Sequence, residues 1–125
     1  MIRITGKVIY GDSVGKRLGF PTANLDRRGY SRQKIKARLG IYAGWADIGP
    51  VGVAKSRFKA AIVIGPIDKR RLPKIEAHII GFSGNLYGKK VSIELHKYIR
   101  PFRNFSSQRE LKNQIRKDIK KAKAI

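Results

Sequence analysis

Apolar residues alternate with polar ones along most of the first hundred residues, which is the pattern of half-buried β-strands. In the first ten residues Ile2, Ile4, Val8 and Tyr10 recur at even positions. Glycine, proline and basic residues interrupt the alternation at intervals, as turns do. Residues 26–38 are polar and basic, and we expect a long loop there. The pattern predicts strands over residues 1–10, 40–48, 58–64, 75–82 and 91–100.

The end of the chain changes from alternation to a helical period. Ser107 followed by Glu110 forms a capping box, a common start of a helix. Lysine and arginine fill one face and the last turn, where positive charge complements the helix dipole. We therefore predict an amphipathic helix over about residues 107–123. The apolar residues of its other face are Leu111, Ile115, Ile119 and Ala122.

Length and element order bound the fold. The chain has 125 residues, which fits one domain, residues 1–125, with one hydrophobic core. Strands dominate and are separated by turns rather than by helices, which favours an antiparallel barrel over βαβ units. We predict a mainly β protein of about six strands, with the barrel over about residues 1–101 and the helix packed against it.

Charge is the most unusual bulk property. Lysine and arginine number 29 against 8 aspartates and glutamates, for a formal net charge of +21. A field of that strength attracts polyanions without specifying which. Two interpretations stay open at this point: a nucleic-acid-binding protein, or a protein from a cell whose proteins are generally basic.

Other classes are disfavoured by what the sequence lacks. It contains no cysteine, so disulfides and thiolate metal sites are not available. No apolar run approaches the roughly 20 residues that span a bilayer. The N-terminus lacks the apolar segment of a signal peptide. We expect a cytoplasmic protein with no membrane association.

Glycines frame a basic loop after the first predicted strand. The loop runs from Gly11 to Gly19, and within it Gly11, Gly15, Lys16 and Arg17 superficially match a Walker phosphate loop. The match fails because the glycines are one residue too close and no serine or threonine follows the lysine. Glycine still lets backbone amides approach an anion, and the two cations supply charge. Taken alone, a surface turn is at least as good an interpretation as a phosphate site.

Three further side chains are candidates for chemistry. Thr22 and Asn24 are two apart, so an extended segment points both the same way. Their oxygens suit Mg²⁺, although the spacing alone favours hydrogen bonds to nearby backbone. Glu76 lies in an apolar strand, where partial desolvation would make it a general base, or else a partner for one of many cations.

In combination these residues closely resemble the signature of the riboflavin kinase family, which includes the kinase module at the end of bifunctional bacterial FAD synthetases. The resemblance runs in order along nearly the whole chain. Its parts are Gly15 to Leu25 (GKRLGFPTANL), Gly40 to Ala43, Ile75 to Ile79, Asn85 to Gly88, Ile99 to Pro101, Phe105, Ser107, Leu111 and Gln114 to Asp118.

The resemblance implies a fold and an activity. The fold would be a six-stranded antiparallel Greek-key barrel with a C-terminal helix. The activity would be transfer of the γ-phosphoryl of ATP to the ribityl 5′-hydroxyl of riboflavin, giving FMN and ADP, with Mg²⁺ or another divalent cation. The adenylyltransferase module of the bifunctional relatives is not found in this sequence, so we expect no FAD synthesis.

The resemblance also implies roles for individual residues. Glu76 would be the catalytic base, and Thr22 with Asn24 would serve the metal and the nucleotide. The glycine-rich loop, Gly11, Gly15, Lys16, Arg17 and Gly19, would cover the phosphates. Flavin contacts would come from Arg100, Phe102 and Phe105.

The predicted partners are therefore riboflavin or FMN and ATP or ADP, and we expect a monomer. The charge also predicts non-specific binding of polyanions. The alternative function is a basic nucleic-acid-binding barrel without kinase activity.

Overall fold

A computed structural model describes residues 1–11, 19–49 and 56–125. Within those ranges the chain forms six β-strands and two helices. They are β1 (Ile2–Ile9), β2 (Ala23–Leu25), α1 (Arg28–Ser31), β3 (Gly40–Asp47), β4 (Arg57–Ile67), β5 (Pro73–Ile79), β6 (Lys90–Arg100) and α2 (Gln108–Lys123).

The strands close into an antiparallel barrel in the order β1-β2-β5-β4-β3-β6. Strands β3, β4 and β5 are consecutive neighbours, and β6 returns to lie beside β3, which is Greek-key connectivity. The barrel closes where β6 also pairs with β1, from Ile2 opposite Leu95 to Lys7 opposite Lys90. The predicted antiparallel Greek-key barrel with a C-terminal helix is confirmed.

Alternate side chains of each strand fill the barrel interior, as the period-2 pattern requires. The interior is rich in β-branched residues, among them Ile4, Ile62 and Ile93, which are all fully buried. Gly44 lets β3 approach β6 closely, because a Cβ there would lie 2.1 Å from the carbonyl oxygen of Glu94. The alternation of apolar and polar residues along the sequence therefore predicts which side chains point into the barrel.

Helix α2 packs on the outer face of β3 and β4. Ala43 and Ala61 of those strands contact Ile119 and Ala122 of the helix, and all four are buried. The small alanines let the helix lie close to the sheet. Among the described residues, no helix is long and apolar enough to cross a membrane.

The predicted capping box begins α2. The Ser107 hydroxyl accepts a hydrogen bond from the Glu110 amide at 3.2 Å. The Glu110 carboxylate returns to the neighbouring Ser106, accepting from its amide at 3.3 Å and from its hydroxyl at 2.8 Å. The Ser107 half of the capping box therefore forms as predicted, whereas the return bond from Glu110 goes to Ser106 and not to the Ser107 amide.

The expected long loop over residues 26–38 is wrong in part, because it contains the short helix α1. Tyr30 of this helix is buried, and its hydroxyl accepts a hydrogen bond from the Ala37 amide at 2.7 Å. One buried aromatic therefore orders a segment whose other residues are polar. The strand predicted over 75–82 ends earlier, at Ile79, and β2 was not predicted because three residues are too short to show a period.

A cluster of four charges lies on the outside of the barrel, between β1, β3, β4 and β6. Asp47 is buried and accepts from Arg3 at 2.7 Å and from Arg57 at 3.5 Å. The same two arginines donate to Glu94 at 3.2 and 2.9 Å. Each arginine therefore joins both carboxylates.

Candidate active site

The candidate catalytic residues share the outer face of β2 and β5. Asn24 is directly opposite Glu76, and Ala23 is opposite Ala77. Ala77 is buried in the core, so the alternation turns Glu76 outward. Residues opposite one another in an antiparallel pair present their side chains on one face, so Asn24 and Glu76 are neighbours there. Thr22, two residues before Asn24, borders the same region.

The larger cavity of the described residues, about 630 Å³, lies between this face and α2 with the segment that precedes it. Its barrel side carries Thr22, Glu76 and His78. The same cavity is lined by the three predicted flavin residues, namely Arg100 at the end of β6, and Phe102 and Phe105 in the segment before α2. A volume of several hundred cubic ångströms lined by aromatic groups and a few polar ones is typical of a small-molecule site.

A smaller cavity of about 140 Å³ lies on the other side of Glu76. It is bordered by Gly11, Asn24, Arg27, Asp68 and Lys74, together with Glu76 itself. Glu76 therefore lines both cavities, while Thr22 borders the larger one and Asn24 the smaller one.

Gly11 fits closely against Asn24. A Cβ at position 11 would lie 2.2 Å from the Asn24 Nδ2 atom and 2.5 Å from its Oδ1 atom. No other residue type would leave the amide where it is, because atoms cannot approach to that distance without moving. Glycine is therefore needed at position 11 to leave room for the Asn24 side chain, and not because of its backbone conformation.

Arg27 and Asp68 form an ion pair at the edge of the smaller cavity. The Arg27 guanidinium also donates to the carbonyl oxygens of Leu72 at 3.3 Å and Pro73 at 3.4 Å. The hydrogen bond from Arg27 lowers the pKa of the Asp68 carboxyl, and the backbone amides of Arg70 and Leu72 add to that effect. This pair ties the turn between β4 and β5 to the end of β2.

His78 contacts the segment that precedes β2. Its Nδ1 lies 2.8 Å from the Pro21 carbonyl oxygen, which can only accept, so this nitrogen donates. The ring also meets Phe20 edge-on, with centroids 6.1 Å apart. The contacts fix the approach of Thr22 to the cavity.

Arg100 is held by Asp118 of α2. Its Nε donates to Asp118 Oδ1 at 3.1 Å and its Nη2 to Oδ2 at 2.8 Å, a bidentate ion pair. The Phe105 ring lies near this guanidinium, at 5.8 Å, and near that of Arg103, at 5.1 Å. The larger cavity is therefore bordered by aromatic rings and by two arginines, of which Arg100 is paired with Asp118.

Sequence reasoning gave no role to Arg27, Asp68 or Asp118. Asp118 carried a usable signal, because it falls on the apolar face of a helix between Ile115 and Ala122, where a charged residue needs a buried partner. Arg27 and Asp68 carried none, since they are 41 residues apart and Arg27 is one of many cations.

Part of the predicted loop lies outside the described residues, namely Gly15, Lys16 and Arg17. The two predicted glycines at its ends are described. Gly11 borders the smaller cavity, and Gly19 adopts a positive φ of 89° with no atoms crowding it. The left-handed φ at Gly19 favours glycine, because other residues are strained there.

Fold and site define a class: a small antiparallel barrel protein whose site lies on the outer face, between two cavities that meet at a carboxylate. Comparisons with known proteins identify the family. The family model described as flavokinase, riboflavin kinase, matches residues 1–125. The riboflavin kinase of Mus musculus is 35% identical over 120 residues, covering 94% of this chain and 76% of the mouse protein. The chain therefore belongs to the riboflavin kinase family.

A bifunctional relative and a solved structure agree with that assignment. The riboflavin kinase/FMN adenylyltransferase of Buchnera aphidicola is 36% identical over 125 residues, covering 93% of this chain and 36% of that protein. The crystal structure of riboflavin kinase from Trypanosoma brucei has a TM-score of 0.64 and 25% identity, over 98% of this chain and 77% of that one. The chain spans little more than a third of the length of the bifunctional relatives it matches.

Proposed function

We propose that this protein is a riboflavin kinase, transferring the γ-phosphoryl of ATP to the ribityl 5′-hydroxyl of riboflavin. The observation that carries the proposal is the position of Glu76, which lines both the larger and the smaller cavity. A phosphoryl transfer needs a donor and an acceptor on either side of the reacting atoms, and a base beside the acceptor hydroxyl. Family membership supports the same chemistry.

The acceptor would occupy the larger cavity. Phe102 and Phe105 offer aromatic surface for a planar ring system, and the ribityl chain would run toward Thr22 and Glu76. Glu76 would take the proton of the 5′-hydroxyl while the hydroxyl oxygen forms a bond to the γ-phosphorus. The bond from that phosphorus to the bridging oxygen breaks, and ADP leaves with the electron pair.

The phosphates of ATP would lie toward the smaller cavity, with the rest of the donor extending beyond it. Asn24 supplies an amide and Lys74 a cation, and Gly11 leaves the space that the Asn24 side chain needs. We further assign the predicted loop residues Gly15, Lys16, Arg17 and Gly19 to covering the phosphates. Charge neutralisation and alignment are most of what such a transfer requires.

A divalent cation fits the boundary between the two cavities, because Thr22 borders the larger cavity and Asn24 the smaller one. The described residues contain no group of three or more histidines, cysteines, aspartates or glutamates that could hold a metal. Mg²⁺ does not need one, because it keeps several waters and takes phosphate oxygens of the substrate. Thr22 and Asn24 would hold it through their side-chain oxygens, and it would neutralise charge on the phosphates.

We also propose that residues 1–125 act as one catalytic domain and that the protein works as a monomer in the cytoplasm. The two cavities are bordered by elements from both ends of the chain, since Gly11 follows β1 and Arg100 ends β6. One copy thus holds every described residue of the proposed site. Size-exclusion chromatography with light scattering, carried out during turnover, tests whether the active protein is a monomer.

The deciding experiment measures FMN formation. Purified protein is incubated with riboflavin, a nucleoside triphosphate and a divalent metal, and FMN is separated by chromatography. We expect FMN and a diphosphate in equal amounts. No FMN with any combination of ATP, GTP, CTP or UTP with Mg²⁺, Mn²⁺ or Zn²⁺ would refute the proposed function.

The exposed face of α2 supports one additional property, non-specific binding of polyanions. Arg116, Lys117, Lys120, Lys121 and Lys123 are exposed, and no ion pair between described residues includes them. Unpaired cations at this density attract a phosphate backbone. A salt titration with a random oligonucleotide tests it: affinity should fall steeply with salt, and no binding at low salt refutes it.

A further inference from the structure

A connected set of polar side chains lies at the larger cavity, which Arg100, Arg103 and Asp118 border, and only Arg100 among them has been given a role so far. Asp118 is one of two buried charged residues in the described part of the chain, the other being Asp47. Its carboxylate receives both arms of the Arg100 guanidinium, at 3.1 and 2.8 Å. Because a buried carboxylate has lost its hydration, the bidentate pair compensates for that loss.

Gln114 extends the pair to a second arginine. Its Nε2 donates to Asp118 Oδ1 at 3.0 Å, and its Oε1 accepts from Arg103 Nη2 at 2.9 Å. Since one end of the amide donates and the other accepts, these two partners fix its orientation. Arg100, the last residue of β6, and Arg103, in the segment before α2, are therefore linked through α2.

Three of the five N–H donors of Arg100 are engaged within the protein. Its Nε and Nη2 bond Asp118, and its Nη1 donates to the Pro101 carbonyl oxygen at 3.2 Å. The charge is balanced by the carboxylate, so Arg100 is not a free clamp for an anion. It is held in one place near the Phe105 ring, which suits an uncharged aromatic ligand better than a phosphate.

We propose that Asp118 is a positioning residue for the acceptor. Through Arg100, and through Gln114 to Arg103, it fixes the Phe105 side of the larger cavity in the arrangement that binds the flavin ring. This inference rests on the proposed function, whose acceptor it concerns. Loss of the carboxylate frees Arg100 from α2 and leaves its charge unbalanced beside the ligand, and it removes the partner that orients the Gln114 amide toward Arg103. Acceptor binding should therefore suffer, and the handling of ATP should not.

The test compares Asp118→Asn with Asp47→Asn. Both remove a buried carboxylate that is paired with arginine, but Asp47 borders neither cavity. Riboflavin affinity is measured by fluorescence quenching without ATP, and the kinetic constants by FMN formation. We expect Asp118→Asn to raise Kd and KM for riboflavin by roughly tenfold or more, with KM for ATP and kcat within about threefold of the wild type. Asp47→Asn should lower Tm without a selective change in either KM.

Gln114→Met keeps the test decisive if Asp118→Asn does not fold. It removes the link to Arg103 without removing a charge, and a rise of about threefold in riboflavin Kd is expected. An unchanged riboflavin affinity in folded Asp118→Asn, or in Gln114→Met where the first does not fold, overturns the inference. So does an equal loss in Asp47→Asn.

The two proposals fail in different ways. Riboflavin binding that depends on Asp118, in a protein that forms no FMN, would refute the kinase and keep the positioning role. FMN formation with wild-type riboflavin affinity in Asp118→Asn would refute the positioning role and keep the kinase. A wild-type protein that neither binds riboflavin nor forms FMN overturns both.

Discussion

Asn24 and Glu76 lie directly opposite one another where β2 pairs with β5, and Glu76 alone of the two reaches both cavities. A β-ladder is rigid compared with a loop, so the relative position of the two side chains is fixed by backbone hydrogen bonds. The amide is on the side we assign to the donor, and the carboxylate is on the boundary with the acceptor. The barrel thereby provides the alignment on which phosphoryl transfer depends.

Glu76→Gln should abolish most of the activity while keeping the site intact. Glutamine has the same shape but cannot take the proton of the acceptor hydroxyl, so kcat should fall by about 10²–10⁴. Riboflavin Kd, measured by fluorescence quenching, should change by less than about threefold, because the proton transfer matters in the transition state and not in the ground state.

A matched control is Glu94→Gln. Glu94 is also half-buried on the outer side of the barrel, but it pairs with Arg3 and Arg57 and borders neither cavity. It should keep wild-type kcat. Normal turnover by Glu76→Gln would remove Glu76 from the role of base.

Gly11→Ala should impair the donor side through Asn24. The added methyl group would overlap the Asn24 amide, which must rotate or shift. We expect KM for ATP to rise by about tenfold, with riboflavin affinity unchanged, because the acceptor cavity does not include Asn24. Steady-state kinetics with each substrate varied separately measure this.

A double-mutant cycle tests the cause. If Gly11→Ala acts by displacing the Asn24 side chain, it should add less than about twofold to the effect of Asn24→Ala. Gly29→Ala is the control, since it lies in α1 away from both cavities and its nearest atom, the Thr5 carbonyl oxygen, is 3.1 Å from the new Cβ. Fully additive effects of Gly11→Ala and Asn24→Ala would contradict the steric explanation.

The fold could be predicted from sequence wherever the pattern was long enough to show a period. Strands β1, β3, β4 and β6 each cover at least eight residues. Three of them, β1, β3 and β6, were predicted to within one residue of their bounds, whereas β4 runs three residues beyond its predicted end. Strand β2 has three residues and shows no period of its own, although it holds Asn24. Its existence depends on pairing with β1 and β5, which is a tertiary effect.

The residues of the candidate site could be identified from the sequence, but their arrangement in space could not. Thr22, Asn24 and Glu76 belong to segments that resemble the family signature, and that resemblance identified them as site residues. Their meeting on one outer face, and the division into two cavities, depend on strand register between segments about fifty residues apart. No local pattern carries that information, and the same holds for the pairing of Arg27 with Asp68.

The start of α2 should be sensitive to Ser107 more than to Ser106. The Ser107 hydroxyl caps the Glu110 amide, and Ser107→Ala should lower the free energy of unfolding by about 1 kcal/mol. The Ser106 hydroxyl bonds only an exposed carboxylate, so Ser106→Ala should cost less than about 0.5 kcal/mol. Urea unfolding of both variants measures the difference, and equal losses would mean that the cap is not formed as described.

The ion pair of Arg27 and Asp68 predicts a specific dependence of stability on pH. The pKa of Asp68 is lowered in the folded protein, chiefly by the hydrogen bond from Arg27, relative to an ordinary value of about 3.9 in the unfolded chain. A group with a lowered pKa stabilises the fold above the unfolded value, and that contribution is lost as pH falls through the folded value. Asp68→Asn keeps an oxygen for the amides of Arg70 and Leu72 but removes the charge. Urea unfolding at pH 7 should therefore show the variant to be the less stable protein, and the difference should shrink steadily below about pH 4. A difference that stays constant down to pH 2 would show that the charge of Asp68 contributes nothing to stability.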